Sequence, residues 1–328
     1  MAEPILSVED LSCGFHTEEG YTRVVDGVSY ALDAGTTLGL VGESGCGKTV
    51  SALAVMGLLP RPAGVMETGE IRLHGRPIAG STQPLLKSVR GRQISMIFQE
   101  PMTALNPVHR IGKQLLETIE LYEPELGRAA QQARAIELVE QVGIPAPGQR
   151  RREYPHQLSG GMRQRVMIAM ALSGNPQVLI ADEPTTALDV TIQAQILELL
   201  VSLQRAHGMA VIFITHDLGV VAQICDEVLV MYAGRIAERA SARQLFGAPR
   251  HPYTHGLIHS IPQLDTPLKS PLPTIEGVVP ALNALPPGCR FSNRCRYADQ
   301  RCAAEVPALR PCQPRHEVAC HHWRRLAA

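Results

Sequence analysis

Eight consecutive residues carry the clearest chemistry in this chain: Gly42, Glu43, Ser44, Gly45, Cys46, Gly47, Lys48 and Thr49. The apolar run Thr37–Val41 precedes them, and Val50–Met56 follows with helical apolar spacing. Strand, glycine-rich loop and helix in that order describe a phosphate-binding loop. The glycines let backbone N–H groups turn toward one point, and the helix N-terminus adds partial positive charge there. Lys48 can reach outer phosphates, and the Thr49 hydroxyl can ligand Mg²⁺. The loop predicts binding of a nucleoside triphosphate.

Further along are groups that suit the same chemistry. Leu158-Ser159-Gly160-Gly161-Met162 opens a helix expected over 163–172. Ser159 is its expected N-cap, and the bare glycine N–H groups can approach a phosphate closely. Taken alone, the pentapeptide reads as an ordinary capped helix. Next, the apolar strand from Gln177 ends in Asp182 and Glu183. A carboxylate at such a strand end suits an Mg²⁺ ligand, and its neighbour can face a water aimed at the γ-phosphate. A further buried strand, 210–215, ends at His216, on the side where open α/β sheets gather ligands.

The elements that must position these groups follow from periodicity. Strands are expected over 5–11 and 24–32, joined by a polar loop holding Phe15 and Tyr21, either of which could stack on a purine. Ile94–Phe98 reads as a buried strand leading to Gln99. From Ile111 to Val142 the spacing becomes helical, with Pro124 and Gly127 dividing two helices, and a further helix is expected over 191–204. A helical insertion near 100–157 thus interrupts an α/β domain of about 1–250, and 251–328 forms an extension. Its stretch 261–287 reads as an extended strap.

The 328 residues are 45% hydrophobic, 19% charged and 4% aromatic, with formal net charge zero. That balance gives no general drive toward nucleic acid or an anionic membrane. No apolar run reaches the ~18–20 residues of a bilayer span, and the N-terminus lacks the pattern of a signal peptide. A cytosolic location is therefore expected, where disulfides are rare. Of eight cysteines, Cys13, Cys46 and Cys225 are scattered, while Cys289, Cys295, Cys302, Cys312 and Cys320 crowd the end among arginines and His316, His321 and His322. Their spacing is not the paired pattern of common zinc sites. An iron–sulfur cluster, zinc or free thiols all remain open on the residues alone.

Taken in order over roughly 5–240, the phosphate loop, Gln99, the LSGGM pentapeptide, the LIADE strand, Thr186-Ala-Leu-Asp189 and His216 resemble the nucleotide-binding subunit of an ATP-binding cassette (ABC) transporter. Met102–Pro107, Tyr154–Leu158, Gly234–Arg239, Phe246 and His251–Thr254 resemble the dipeptide and oligopeptide permease branch, and within it the D-type dipeptide subunits. The resemblance implies an α/β P-loop NTPase (RecA-like) fold with a helical subdomain and a cysteine-rich C-terminal extension. It implies ATP hydrolysis that powers peptide import. In that reading Lys48 and Thr49 hold phosphates, with Gly42, Ser44, Gly45, Cys46 and Gly47 around them and Phe15 toward the base. Thr49, Gln99 and Asp182 attend Mg²⁺, Glu183 polarises the attacking water, and His216 steadies the γ-phosphate.

Ser159, Gly160 and Gly161 would complete a partner's site, since cassettes pack head to tail. A related but distinct second ATPase, two membrane permease subunits and an external peptide-binding protein are implied, with this chain peripheral on the cytoplasmic face of the inner membrane. Nucleic acid is not an expected partner. Oligopeptide, glutathione or nickel cargo, a soluble non-transport cassette ATPase, and a metal-binding regulator with a vestigial ATPase are the alternatives. By the same resemblance Cys289, Cys295, Cys302 and Cys320 hold a [4Fe–4S] cluster and Cys312 does not. Neighbouring Arg290, Arg294, Arg296 and Arg301 are expected to favour the thiolates.

Overall fold

The computed structural model describes residues 3–80, 83–99, 104–261 and 274–326. Residues 262–273 of the strap expected over 261–287, together with Met102 and Thr103, lie outside the described residues. The chain forms two compact units, one of residues 1–5, 33–36 and 80–212, the other of residues 6–32, 37–79 and 213–328.

In the first unit, strands Ile94–Ile97 and Val178–Asp182 pair in parallel, Ile94 opposite Val178 and Ile97 opposite Ala181. Every residue of both is buried, as parallel strands covered on both faces require. The helical insertion is present as Ile111–Tyr122 and Arg128–Gln141, divided where Pro124 and Gly127 fall. These helices bury Ile111, Leu115 and Ile119 on one and Ala135, Leu138 and Val139 on the other, the i, i+4 and i, i+3 spacing of a core-facing stripe. Helix Gly160–Leu172 begins at Ser159, whose Oγ accepts the Met162 N–H at 3.3 Å. Helix Val190–His207 is capped by Asp189, which accepts the Ile192 N–H at 2.9 Å, and stops at Gly208 in the left-handed region.

In the second unit, Thr37–Val41 runs parallel to Glu227–Tyr232. Arg235–Ser241 then joins antiparallel, followed by His316–Val318 and Arg310–Gln313. A separate antiparallel sheet holds Gly20–Leu32, Leu6–Thr17, Gly64–Leu73 and Arg76–Pro77 in that order. Here the expectation of a polar loop around Phe15 and Tyr21 is corrected. The strands run on to Thr17 and resume at Gly20, so Phe15 pairs with Thr22 and Tyr21 with His16. Only Glu18 and Glu19 turn the chain, with Gly20 at φ 116°. The bulges between Val8 and Gly14 blur the alternation that would have marked a long strand. Buried strand Ala210–Thr215 carries the chain from the first unit into the second.

The tail joins the core of the second unit. Its hairpin adds two strands to the sheet, and Phe291, Cys302 and Val318 are buried. Fully buried Glu238 anchors it, accepting from the Arg250 N–H at 2.6 Å, the His251 N–H at 2.9 Å and His316 Nε2 at 2.7 Å. A buried carboxylate is stable only with such full pairing.

His251 beside it is buried, and its Nδ1 accepts the Tyr253 N–H at 3.0 Å, so the neutral ring carries its proton on Nε2. Burial outweighs the nearby Glu238 charge and lowers its pKa from 6.5 to about 4. The unfolded ring gains a proton as pH falls from 6.5 to 4 while the folded ring does not, so stability is lost across that window. The full shift corresponds to ~3 kcal/mol. Urea unfolding at pH 7 and pH 4.5 should show a steeper loss for the native chain than for His251→Asn, whose amide oxygen can still accept the N–H. Equal slopes would contradict the buried neutral histidine.

Candidate active site

The phosphate loop lies in the second unit between strand Thr37–Val41 and helix Lys48–Val55. Two of its glycines answer to close approach. A Cβ on Gly42, at φ 150°, would stand 2.2 Å from the Met231 carbonyl oxygen, and one on Gly47, at φ 100°, would stand 3.0 Å from that of Val24. Only glycine lets the loop lie this near its neighbours. Lys48 is buried, and its Nζ donates to the carbonyls of Gly42 at 2.8 Å and Glu43 at 3.1 Å. The ammonium is thus held against the loop by backbone dipoles. Cys46 is also buried, and burial pushes its thiol up, which makes it a packing residue rather than a nucleophile. His216 stands exposed at the end of its strand. Asp217 caps the next helix by accepting the Gly219 N–H at 2.9 Å. His216, Gly42 and Glu43 line one cavity of about 320 Å³ with Leu218, Thr274 and Ile275.

In the first unit, Asp182 ends its strand 1% exposed. Glu183 follows at φ 45°, and its Oε2 accepts from Gln99 Nε2 at 3.0 Å and from Thr186 Oγ1 at 2.9 Å. Gln99 and Glu183, 84 positions apart, are therefore partners. Gly160 is exposed, whereas Gly161 is buried, and a Cβ there would meet Ile192 Cγ2 at 2.6 Å. Packing against helix Val190–His207 thus also demands glycine at 161. Lys48, Thr49 and His216 belong to the second unit, and Gln99, Asp182, Glu183 and Ser159–Gly161 to the first. Of the two candidates for a purine, Tyr21 is committed locally: its hydroxyl bonds Glu67 and its ring lies 5.2 Å from that of His16. Phe15 is half-buried on its strand.

The tail cysteines separate into two sets. Burial pushes the Cys289 thiol up to about 11 and that of Cys320 to about 12, and raises Cys295 and Cys302 as well. Neighbouring thiols add to this: Cys289 responds to Cys302 and Cys295, Cys295 to Cys302, and Cys320 to all three. Cys312 is raised by burial and then by Glu238, and its Sγ donates to the His316 carbonyl at 3.3 Å. Of the four arginines, Arg296 favours the Cys295 thiolate and Arg301 that of Cys302, as expected, whereas the other two depart from expectation. Arg290 bonds Asp26 and the Ala233 carbonyl, and Arg294 bonds Glu43, so both serve carboxylates rather than the thiols. Through Glu43, Arg294 joins the tail to the phosphate loop. Among the described residues, Asp299, Cys302 and His322 hold ligand atoms all within 4.8 Å of one another. Cys13, Cys46 and Cys225 are buried and scattered.

Residues 25–186 match the family model of the ABC transporter, and residues 237–302 match that of the oligopeptide/dipeptide transporter C-terminal region. The chain is 50% identical to the oligopeptide transport ATP-binding protein OppD of Bacillus subtilis, over 90% of this chain and 82% of that protein. It is 46% identical to the dipeptide transport ATP-binding protein DppD of Escherichia coli, over 97% and 96%. This chain belongs to the ATP-binding subunits of ABC peptide importers. In fold it is similar to cbiO1 from Clostridium perfringens, part of the ABC transporter complex cbiONQ, with TM-score 0.64 at 27% identity over 75% of this chain and 92% of that one. A dimeric bacterial ABC transporter cassette gives TM-score 0.64 at 25% identity, over 73% and 99%.

The importer subunit is thus an ABC ATPase, and among its described residues no helix is long and apolar enough to cross a membrane. Sequence reading passed over three residues that touch the site. Thr186 lies in a turn singled out only as a motif, and its distance from Glu183 in sequence suits a turn contact. Asp299 caps helix Gln300–Ala304 by accepting the Cys302 N–H at 3.0 Å and lies 2.8 Å from His322 Nε2. Its signal was the Asp-x-x-Cys cap spacing. Glu43 was read only as part of the loop, because the partner of its carboxylate, Arg294, lies 251 residues away.

Proposed function

We propose that this chain hydrolyses ATP to drive uptake of dipeptides or short peptides, working from the cytoplasmic face of the inner membrane. Its helpers are a distinct second ATPase, two permease subunits and an external peptide-binding protein. Residues 1–250 form the nucleotide-binding domain, with a helical subdomain near 100–157, and 251–328 the extension. Lys48 and the backbone of the 42–47 loop hold the phosphates, Phe15 meets the base, and His216 steadies the γ-phosphate. Mg²⁺ held by Thr49, Gln99 and Asp182 would neutralise charge on the transferred phosphoryl group. Ser159, Gly160 and Gly161 cap the partner's triphosphate.

The observation that carries the mechanism is the orientation of Glu183. Two donors, Gln99 and Thr186, share its Oε2. They fix the carboxylate for general-base work on water at a strand end beside buried Asp182. Glu183→Gln should retain ATP while turnover in the assembled transporter falls ~10²–10⁴-fold. Turnover within about threefold of the native complex would remove Glu183 from that role.

We further propose that Cys289, Cys295, Cys302 and Cys320 hold a [4Fe–4S] cluster. Their mutual charge coupling, with Cys312 outside it, supports the ligand set. Anaerobically purified protein should be brown, with about four irons per chain. Serine at any of the four should bleach it, and Cys312→Ser should leave the colour. Stoichiometric zinc without iron would overturn the cluster, and bleaching by Cys312→Ser but not Cys320→Ser would overturn the ligand set.

A further inference from the structure

Glu43 is an awkward residue for its position. It is the second residue of the phosphate loop, and an unpaired carboxylate there would repel the polyanion that the loop receives. The structure supplies its counter-charge from the far end of the chain. Arg294 Nη1 donates to Glu43 Oε2 at 2.7 Å and Nη2 to Oε1 at 3.1 Å, a two-pronged pair. The Arg294 side chain is 3% exposed and that of Glu43 31%.

The remaining donors of the guanidinium are directed as well. Nε donates to the Glu276 carbonyl at 3.0 Å and Nη2 also to that of Ile275 at 3.2 Å. The guanidinium carbon lies 5.8 Å from the Tyr232 ring centroid and 5.9 Å from that of Phe291. Thr274 and Ile275, beside the segment so pinned, wall the cavity that Gly42, Glu43 and His216 also line. On the other side, the Glu43 N–H donates to Tyr253 Oη at 2.9 Å. Both the backbone and the carboxylate of this loop residue are therefore fixed by the C-terminal region.

We propose that Arg294 is a positioning residue of the nucleotide site: it neutralises Glu43 and fixes it to the loop, so that the tail sets the affinity for nucleoside triphosphate. The proposal rests on Gly42–Thr49 being that site. A lysine could match the charge of Arg294 but not its planar fork. Loss of the guanidinium leaves a bare carboxylate on the loop, a charge effect that also weakens with added salt.

The test is equilibrium binding of a fluorescent ATP analogue to the full chain at low and high salt, with KM and kcat for ATP in the assembled transporter. Arg294→Met should weaken binding by roughly tenfold, the order of one partly screened charge contact, and raise KM more than it lowers kcat. Arg294→Lys should lie between Met and the native residue. The deciding variant is the double change Glu43→Gln with Arg294→Met. If charge neutralisation is the role, it restores affinity to within about threefold and the salt dependence disappears. Affinity that stays low in the double variant would assign Arg294 to scaffolding and overturn the proposal, as would native affinity in Arg294→Met. Should Arg294→Met fail to fold, Glu43→Gln alone decides: the guanidinium left unpaired beside the loop should tighten binding at low salt and lose that gain at high salt, and affinity that is native or weaker at both salts would overturn the proposal. Lys48→Ala is the control for the site itself. Native binding by that variant would overturn the loop assignment rather than the role of Arg294.

Discussion

The phosphate loop has almost no room, and much of the second unit is arranged around that shortage. Gly42 passes so near the Met231 carbonyl that any side chain would collide with it. The close approach ties the loop to strand Glu227–Tyr232, whose last residue, Tyr232, packs against the rings of Tyr253 at 4.6 Å and Phe291 at 5.2 Å. Loop, strand and tail aromatics thereby form one continuous buried contact. Such pairs contribute ~0.5–1.5 kcal/mol each beyond their buried area. The extension is therefore packed into the same unit as the nucleotide loop, and the C-terminal region is part of its support.

Buried polar groups hold that support in register. Glu238 carries three donors from two stretches of chain, two of them backbone. Hydrogen bonds of this kind add little when made and cost ~1–3 kcal/mol when one partner is left alone. Asp26 plays a comparable part at the other side of the tail, bonding Arg23, Arg235 and Arg290. The last of these pairs explains why Arg290 is not spare charge for the thiolates.

The catalytic half of the molecule was largely legible in the sequence, because its chemistry lies in short contiguous motifs. The phosphate loop, the Ser159 cap and the Asp182–Glu183 strand end each announce themselves by local spacing, and each is found on the element expected. Helices Ile111–Tyr122 and Arg128–Gln141 were legible for a different reason, a 3.6-residue apolar period broken by Pro124 and Gly127. What escaped were contacts of long sequence separation. Nothing in the order of residues pairs Glu43 with Arg294, 251 positions away, or Gln99 with Glu183. The first hairpin escaped through its bulges, and the tail hairpin because a strand of Arg, Pro, Cys and Gln lacks the β-branched residues that mark one.

The central claim, that ATP at this loop drives peptide import, is most directly tested by uptake of a labelled dipeptide. Proteoliposomes would carry this chain, its permease subunits and partner ATPase, with the binding protein added outside and ATP enclosed. The account predicts ATP-dependent accumulation that is lost when Lys48→Ala replaces the native chain in an otherwise assembled complex. Accumulation that persists with Lys48→Ala, or a native complex that hydrolyses ATP yet moves no peptide, would contradict it.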